Sequence, residues 1–312
     1  MRLFRSVVVL AFSMSACAAF PQTQEAGEGR DATHDLEHGG RTRRYHVHVP
    51  PRGAEEDKLP VMLVFHGGGG NGQQVAKSTG FSTLADREGF IVVYPDGTGR
   101  LAHRLLTWNC GGLPCYASEQ KVDDVGFVRA LLADLAERER IDPARVYATG
   151  MSNGGMMVHR LARECPDLLA AVAPVAGAMN WTEASPKLPM PILIVHGRKD
   201  QHVLFEGGKP KEAVGRAGER IDASVADALA YYCARNGQTG EPQRTKVGAV
   251  ETTRWEQPAA EGEKAAPVVL VAIDGEGHTW PGGARGRLRA DAPTKQFSAT
   301  DEIWRFCREQ RR

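Results

Sequence analysis

The string Gly-Met-Ser-Asn-Gly at positions 150–154 constrains the fold more than any other part of the sequence. It follows a short apolar segment at 145–148, which predicts a strand, and it precedes apolar residues at helical spacing. A serine between glycines at such a junction occupies a sharp strand-to-helix turn, where backbone passes without a Cβ clash and the hydroxyl is exposed. We therefore predict that Ser152 is a nucleophile. The alternative is a serine that caps the helix within a glycine-rich turn.

Predicted strands and helices alternate along the chain, which favours a mostly parallel α/β sheet. The apolar run at 60–65 is typical of a parallel strand that is covered on both faces. The 312 residues allow one large domain or two small ones, and the sequence has no internal repeat or second apolar core, which favours a single domain. Strands are predicted at 45–49, 60–65, 90–94, 145–148, 171–176, 191–195 and 268–273, and helices at 74–88, from Asp123 onward, at 222–235 and at 300–309.

The N-terminus has the pattern of an export signal over residues 1–17. Arg2 and Arg5 precede an apolar stretch at 6–14 that is too short to cross a bilayer as a helix. Two processing sites are compatible with the small residues that follow. A lipoprotein-type site would make Cys17 the lipidated first residue, whereas ordinary cleavage would use the small residues around it. Both alternatives predict an exported protein, free or anchored to the outer surface of a bacterial membrane.

Residues 18–40 are polar and predict a flexible tether, which leaves 41–312 for the folded domain. Lys and Arg number 39 against 38 Asp and Glu, so the chain has no basic excess for a phosphate backbone. A nucleic-acid partner is therefore excluded. No other apolar run reaches membrane-spanning length, so membrane contact is expected only through a lipid at Cys17.

The cysteines predict one disulfide and no metal site. Of the six, five remain after Cys17, so at least one thiol is left without a partner in the same chain. Cys110 and Cys115 lie in one glycine-rich loop, and we predict that they are linked in an oxidising compartment. No paired Cys or His spacing indicates zinc.

A second glycine-rich string, His66 to Gly72, ends an early predicted strand. In enzymes whose nucleophilic serine lies in a strand-to-helix turn, two backbone amides form the oxyanion hole. One belongs to a loop of this kind, and the other belongs to the residue after the serine, here Asn153. The same string also satisfies the dinucleotide-binding pattern. Export makes a nicotinamide cofactor improbable, and the serine turn already explains the loop.

A catalytic serine needs a base, and the base needs an orienting acid, in the chain order Ser, Asp or Glu, then His. Asp200 and His278 each follow a late buried strand, at the edge where open α/β sheets place their sites. His202 is the rival base, but it lies too near Asp200 in sequence to reach a distant serine easily. Asp274 is the rival acid, and its place before the turn is more typical of a turn cap.

Three long loops, at 97–121, 201–221 and 279–296, are expected to surround the mouth of the site. Trp108 and Trp280 lie in two of them and are candidates for an aromatic substrate-binding wall. The alternative is that each indole anchors its loop.

Several longer strings together resemble the secreted esterase family that groups feruloyl and acetylxylan esterases with polyhydroxybutyrate depolymerases. The resemblance runs over about residues 41–307, nearly the whole mature chain. In chain order the strings are His66-Gly-Gly-Gly-Gly-Asn, Tyr94-Pro-Asp-Gly, Asp123-Asp-Val-Gly-Phe, Gly150-Met-Ser-Asn-Gly-Gly, His196-Gly-x-x-Asp, Gly277-His-Thr-Trp-Pro-Gly and Ala299-Thr-Asp.

The resemblance implies an α/β-hydrolase fold, with a mostly parallel sheet and helices on both faces. It also implies that Ser152 is the nucleophile, Asp200 the orienting acid and His278 the general base, with the amides of Gly68 and Asn153 as the oxyanion hole. The expected reaction is hydrolysis of a carboxylic ester through an acyl-enzyme, without a metal or other cofactor.

The expected substrates are feruloyl or acetyl esters on plant polysaccharide, or short polyesters of the hydroxybutyrate type. The alternatives are a peptidase or thioesterase of the same fold, or a non-catalytic, surface-tethered polysaccharide-binding protein. The chain departs from the family at two positions. Glu276 stands where the family commonly has Gly, and Gln238 stands where many members have Cys, which removes a disulfide partner and leaves the pairing of Cys233 open.

Overall fold

In the computed structural model, the described residues are 29–51, 58–180, 188–212, 219–257, 266–285 and 291–312. Within them, ten strands form one mixed sheet. The strands are β1 (Arg30–His38), β2 (Arg41–Val49), β3 (Leu59–Phe65), β4 (Ile91–Pro95), β5 (Ile141–Met151), β6 (Ala171–Val175), β7 (Ile192–Gly197), β8 (Gln243–Val247), β9 (Val250–Trp255) and β10 (Val268–Ile273).

The order across the sheet is β1-β2-β4-β3-β5-β6-β7-β10-β9-β8. The six central strands, from β4 to β10, pair in parallel. The pairs at both outer edges are antiparallel. Because the central strands are parallel, their carboxyl ends lie at one edge of the sheet, which is where sites form in open α/β folds.

Helices cover both faces of this sheet, as expected. They are α1 (Gly72–Thr79), α2 (Phe81–Glu88), α3 (Tyr116–Glu119), α4 (Asp124–Arg138), α5 (Asn153–Glu164), α6 (Val225–Arg235) and α7 (Ala299–Cys307). One apolar core joins the sheet to α4, α5 and α6. A second core on the opposite face joins it to α1, α2 and α7. Each central strand is therefore apolar on both faces, which explains the continuous apolar runs in the sequence.

One predicted helix is divided. The helix expected at 74–88 is two helices separated by Gly80, which adopts a left-handed conformation (φ +74°) that glycine tolerates without strain. Asn71 caps α1, because its side chain accepts a hydrogen bond from the Gln74 amide at 2.9 Å.

The tether predicted at 18–40 is wrong for residues 30–38, because this segment is strand β1. β1 pairs along its whole length with β2 in antiparallel register. Its side chains are mostly polar, and some of their partners lie across the strand pair: Asp35 binds Arg44 through two contacts of 2.7 Å. Leu36 packs against the apolar core. A cross-strand pair of opposite charge and the packing of Leu36 thus contribute to the pairing of β1 with β2.

The predicted signal segment and Cys17 lie outside the described residues, as do the first residues of the predicted tether. Within the described ranges, no helix combines the length and the apolar character that crossing a bilayer requires.

Candidate active site

Ser152 lies at the turn between β5 and α5, as the sequence predicts. Its backbone is left-handed, with φ +57° and ψ −123°, which is rare for a residue with a side chain. The turn is held on both sides, since the Ser152 amide donates to the Val175 carbonyl at 2.9 Å and its carbonyl accepts from the Met156 amide at 2.8 Å. A strained residue that its surroundings hold so firmly is typical of a functional position.

The two glycines that flank this turn are required by close packing. A Cβ at Gly150 would lie 2.8 Å from the backbone of Gly154 and from the side chain of Phe65. A Cβ at Gly154 would lie 2.4 Å from the Phe65 carbonyl oxygen. The start of α5 therefore lies directly against the end of β3, and a side chain at either position would force them apart.

The glycine loop after β3 lies beside the serine turn. A Cβ at Gly68 would lie 3.6 Å from the Cβ of Asn153, so the two candidate oxyanion residues are neighbours. The next two amides of the loop already donate hydrogen bonds within the protein. The Gly69 amide donates to the Leu106 carbonyl at 2.8 Å, and the Gly70 amide donates to the Gly67 carbonyl at 3.0 Å. Asn153 is the first residue of α5, a position whose amide has no partner within its own helix.

His66 holds this loop in place from a buried position. Its Nδ1 lies 2.8 Å from the Gly67 carbonyl oxygen, and its Nε2 accepts from the Gly97 amide at 3.0 Å. Burial lowers the pKa of His66 to about 4, so the ring is neutral at pH 7. The neutral form with a proton on Nδ1 satisfies both contacts, and a structural role follows.

The indoles of Trp108 and Trp280 do not form an aromatic wall. Trp108 is fully buried, and its Nε1 donates to the His66 carbonyl at 3.0 Å. Trp280 is 4% exposed, and its Nε1 donates to Thr300 Oγ1 at 2.9 Å. The prediction that these side chains bind substrate is wrong. Each indole anchors its loop, because a buried N–H needs a partner and finds one inside the protein.

Trp108 also connects its loop to the serine turn. Its amide donates to Asn153 Oδ1 at 2.7 Å, and its carbonyl accepts from Asn153 Nδ2 at 3.1 Å. These two contacts fix the first residue of α5. Farther along the same loop, the Asn109 amide donates to the buried carboxylate of Asp124 at 2.7 Å, which also accepts from Arg43 at 2.7 Å.

Asp200 and His278 are in direct contact, although 78 residues separate them. Asp200 follows β7 and is 1% exposed, and its Oδ2 lies 2.7 Å from His278 Nδ1. Its other oxygen, Oδ1, accepts from the amides of His202 and Val203, both at 2.8 Å. The carboxylate is thus held at both oxygens, and it fixes the orientation of the imidazole that follows β10.

The charge environment keeps Asp200 ionised. Burial alone would raise its pKa, but the neighbouring imidazoles of His196 and His278 outweigh burial and hold the pKa well below its ordinary value. The His196 ring lies 3.6 Å from Asp200 at Nε2, and this atom also lies 2.8 Å from the Val203 carbonyl oxygen. An ionised carboxylate at this place favours a proton on His278 Nδ1 and leaves Nε2 as the basic nitrogen.

The two rival residues lie in other environments. Asp274 is exposed and forms ion pairs with Arg198 at 3.1 Å and with Lys246 at 2.7 Å. His202 is closer to the site than expected, because its ring centroid lies 4.9 Å from that of His278. Its Nε2 lies 3.5 Å from a carboxylate oxygen of Glu212, so it has a different acidic neighbour.

Ser152 follows β5 at the same edge of the sheet at which Asp200 follows β7 and His278 follows β10. Among the described residues, no hydrogen bond joins the Ser152 hydroxyl to the His278 ring. Contacts of this kind are often long in unliganded enzymes and shorten when substrate binds. The structure therefore brings the acid and the base into contact and places the serine at the same edge.

The predicted disulfide between Cys110 and Cys115 is absent, because both residues are free thiols. Cys110 is buried against Met156, with its sulfur 3.9 Å from Sδ. The sulfur of Cys115 lies 3.4 Å from the Trp108 carbonyl oxygen. The loop is held by hydrogen bonds around Trp108 instead of a covalent link.

Two acidic residues beside His278 were not predicted. Asp291 accepts a hydrogen bond from the His278 amide at 2.8 Å. Glu276 is 5% exposed in the turn that carries His278. The one sequence feature that could have drawn attention to Glu276 is that it stands where the family commonly has Gly. In the described part of the chain, no group of three or more His, Cys, Asp and Glu side chains is arranged to hold a metal ion.

A left-handed serine between close-packed glycines, with an acid–imidazole pair at the same sheet edge, defines an α/β-hydrolase. A sequence profile described as esterase PHB depolymerase matches residues 43–207. A protein named as an esterase, NocK, from Nocardia uniformis subsp. tsuyamanensis is 34% identical over 78% of this chain and 72% of its own length. The chain belongs to this esterase and PHB depolymerase family.

Two further proteins that match this chain are a longer relative and a solved structure of lower identity. Feruloyl esterase B from Piromyces equi is 29% identical over 76% of this chain, and the match spans only 42% of that protein. Among solved structures, the acetyl xylan esterase from Aspergillus awamori has a TM-score of 0.57 at 14% identity, and the match covers 88% of this chain and 98% of that one. This structural likeness supports the fold: a single, mostly parallel sheet with helices, as in carboxylic ester hydrolases.

Proposed function

We propose that the protein is an exported serine esterase that hydrolyses carboxylic esters through an acyl-enzyme formed on Ser152. The observation that carries the proposal is the contact of 2.7 Å between Asp200 Oδ2 and His278 Nδ1, at the same sheet edge as the left-handed Ser152. A buried carboxylate that orients one imidazole nitrogen leaves the other nitrogen free to act as a base.

The proposed reaction gives each of these residues one role. His278 Nε2 takes the Ser152 proton as the oxygen attacks the ester carbonyl, and Asp200 stabilises the imidazolium that results. The amides of Gly68 and Asn153 donate to the oxyanion of the tetrahedral intermediate. The imidazolium then protonates the leaving alcohol. Water, activated by the same imidazole, releases the acid and restores the serine.

Relatives support a substrate class. Curated relatives are named feruloyl esterase, acetylxylan esterase and poly(3-hydroxyalkanoate) depolymerase. The substrates of this chain are accordingly feruloyl or acetyl esters of plant polysaccharide, or short polyesters of the hydroxybutyrate type. Export follows from the N-terminal signal pattern, with a lipid at Cys17 or ordinary cleavage as the two ways of processing it.

The first test is Ser152→Ala. Loss of the nucleophile is expected to lower kcat on an ester such as 4-nitrophenyl acetate by about 10⁶-fold, to the background level. Ser78→Ala is the matched control, because this serine lies in α1 and its hydroxyl donates to the Val75 carbonyl of the same helix. Residual activity of Ser152→Ala above about a thousandth of wild type, in a folded protein, would assign the nucleophile to another residue.

A second comparison tests the substrate class. Hydrolysis rates are measured at one enzyme concentration on methyl ferulate, acetylated xylan and a hydroxybutyrate oligomer. At the same enzyme concentration, an ester, an anilide and a thioester that share one acyl group are compared. We expect esters to be cleaved fastest. Faster turnover of the anilide or the thioester would instead indicate a peptidase or a thioesterase, and polysaccharide binding without turnover would indicate a non-catalytic protein.

A further inference from the structure

Glu276 is a buried carboxylate that the reaction above does not use. It is 5% exposed and lies two residues before His278, in the turn that follows β10. Within the described residues no cationic side chain lies within ion-pair distance of it. Burial of a carboxylate without a cation is costly unless hydrogen bonds compensate for it, so its partners indicate what this position does.

One partner of its carboxylate lies in a segment farther along the chain, residues 291–294, which we call the outer segment, and the other lies in the turn itself. The Thr294 amide donates to both carboxylate oxygens of Glu276, at 3.2 and 3.1 Å. The hydroxyl of Thr279, in the turn itself, donates to the same carboxylate. The Gly282 amide donates to the Thr294 carbonyl at 2.9 Å, so the outer segment is bound to this turn at two points.

The outer segment in turn holds the base. Asp291 Oδ2 accepts a hydrogen bond from the His278 amide at 2.8 Å. A Cβ at Gly277 would lie 2.0 Å from this oxygen, so the approach of Asp291 depends on a glycine there. The backbone of His278 is thus fixed by a side chain of the same segment that Glu276 binds.

The backbone of Glu276 faces the acid. Its carbonyl oxygen accepts from the Lys199 amide at 2.9 Å, one residue before Asp200. A Cβ at Gly197 would lie 2.4 Å from that carbonyl oxygen, which shows how closely the two turns approach. Glu276 therefore lies between the turn that carries the acid and the outer segment that holds the base.

We propose that Glu276, together with Asp291, is a positioning residue for His278. The inference rests on the proposed function. Glu276 binds the outer segment, Asp291 extends from that segment to the His278 amide, and the two contacts set the distance of the imidazole from Ser152. Displacement of a catalytic group by about 1 Å can cost about 100-fold in rate, so loss of either contact affects turnover more than substrate binding.

The test uses Glu276→Ala and Asp291→Ala in the full-length protein. Each is expected to lower kcat on a small ester by about 10- to 100-fold with KM changed by less than about threefold, because the substrate contacts persist. Glu276→Gln and Asp291→Asn keep an acceptor oxygen and are expected to restore kcat to within about fivefold of wild type. Asp274→Ala is the matched control, since it is in the same turn but exposed, and it should stay within about twofold.

Asp291 is exposed, so its substitution tests the proposal even if Glu276→Ala fails to fold. Wild-type kcat in folded Asp291→Ala or in folded Glu276→Ala would overturn the inference, and so would an equal loss in Asp274→Ala. Failure of the proposed function is a separate result, seen as activity that survives Ser152→Ala. A rise in KM at constant kcat would also contradict a positioning role, because it would indicate a contact with substrate.

Discussion

At the scale of single residues, Ser152 shows why the sequence pattern around it is so restrictive. A left-handed backbone at a residue with a side chain costs on the order of 1–3 kcal/mol. The turn persists because Val175 and Met156 hold its backbone, while Gly150 and Gly154 let β3 and α5 approach. These requirements are local in sequence, so the string alone was enough to predict the serine turn.

The orienting acid allows a sharp test at the same scale. Asp200→Asn keeps the shape of the side chain but favours the wrong imidazole tautomer, and we expect kcat to fall by about 10⁴-fold. Asp274→Asn removes a charge that is paired with Arg198 and Lys246 at the surface, and we expect kcat to remain near wild type. Steady-state kcat values of the two variants on one ester show which aspartate orients the imidazole. Near-normal kcat in Asp200→Asn would exclude the acid role of this residue.

Other residues could not be assigned from the sequence, since their roles depend on contacts distant along the chain. Trp108 lies in a loop that looks exposed in the sequence, yet its indole is buried against the end of β3. The sulfurs of Cys110 and Cys115 lie around the same two residues, Asn153 and Trp108, yet both thiols are free. Spacing limits which residues can meet but does not show which way each side chain faces.

At the scale of elements, the central parallel strands and β2 were predictable from the sequence, whereas the other outer strands, β1, β8 and β9, were not. Strands covered by helices on both faces are continuously apolar, as in β3 and β10. β1 and β8 lie at the two ends of the sheet, where one or both faces meet solvent, and their residues are mostly polar. Strand pairing there depends on cross-strand partners such as Asp35 and Arg44, which a search for apolar runs does not detect.

The contact between β3 and α5 makes a prediction about packing. Gly154→Ala places a methyl group 2.4 Å from the Phe65 carbonyl oxygen, so the two elements must separate. We expect a loss of about 1–3 kcal/mol in the free energy of unfolding. Gly68→Ala is the matched control for stability alone, because its Cβ would meet nothing closer than 3.6 Å. Urea denaturation of both variants measures the difference, and equal stability would contradict the close approach.

At the scale of the whole molecule, two buried histidines couple stability to pH. Burial lowers the pKa of His66 to about 4 and that of His159 to about 3, below the ordinary value of 6.5. In the unfolded chain both regain the ordinary value, so between pH 6.5 and 4 the unfolded state binds more protons than the native state. Stability is therefore complete above pH 6.5 and decreases as the pH falls through this window.

The contribution of His159 can be isolated, because it lies on α5 and stacks on Tyr232, away from the candidate oxyanion loop. Between pH 7 and pH 5 each such histidine is expected to cost about 2 kcal/mol of stability. The carboxylates whose pKa is lowered, such as Asp200, titrate below this interval and do not contribute to it. We therefore expect His159→Gln to lose about 2 kcal/mol less than wild type over the same interval in urea denaturation, whatever its stability at pH 7. An unchanged pH dependence in His159→Gln would mean that this buried histidine does not set the acid sensitivity.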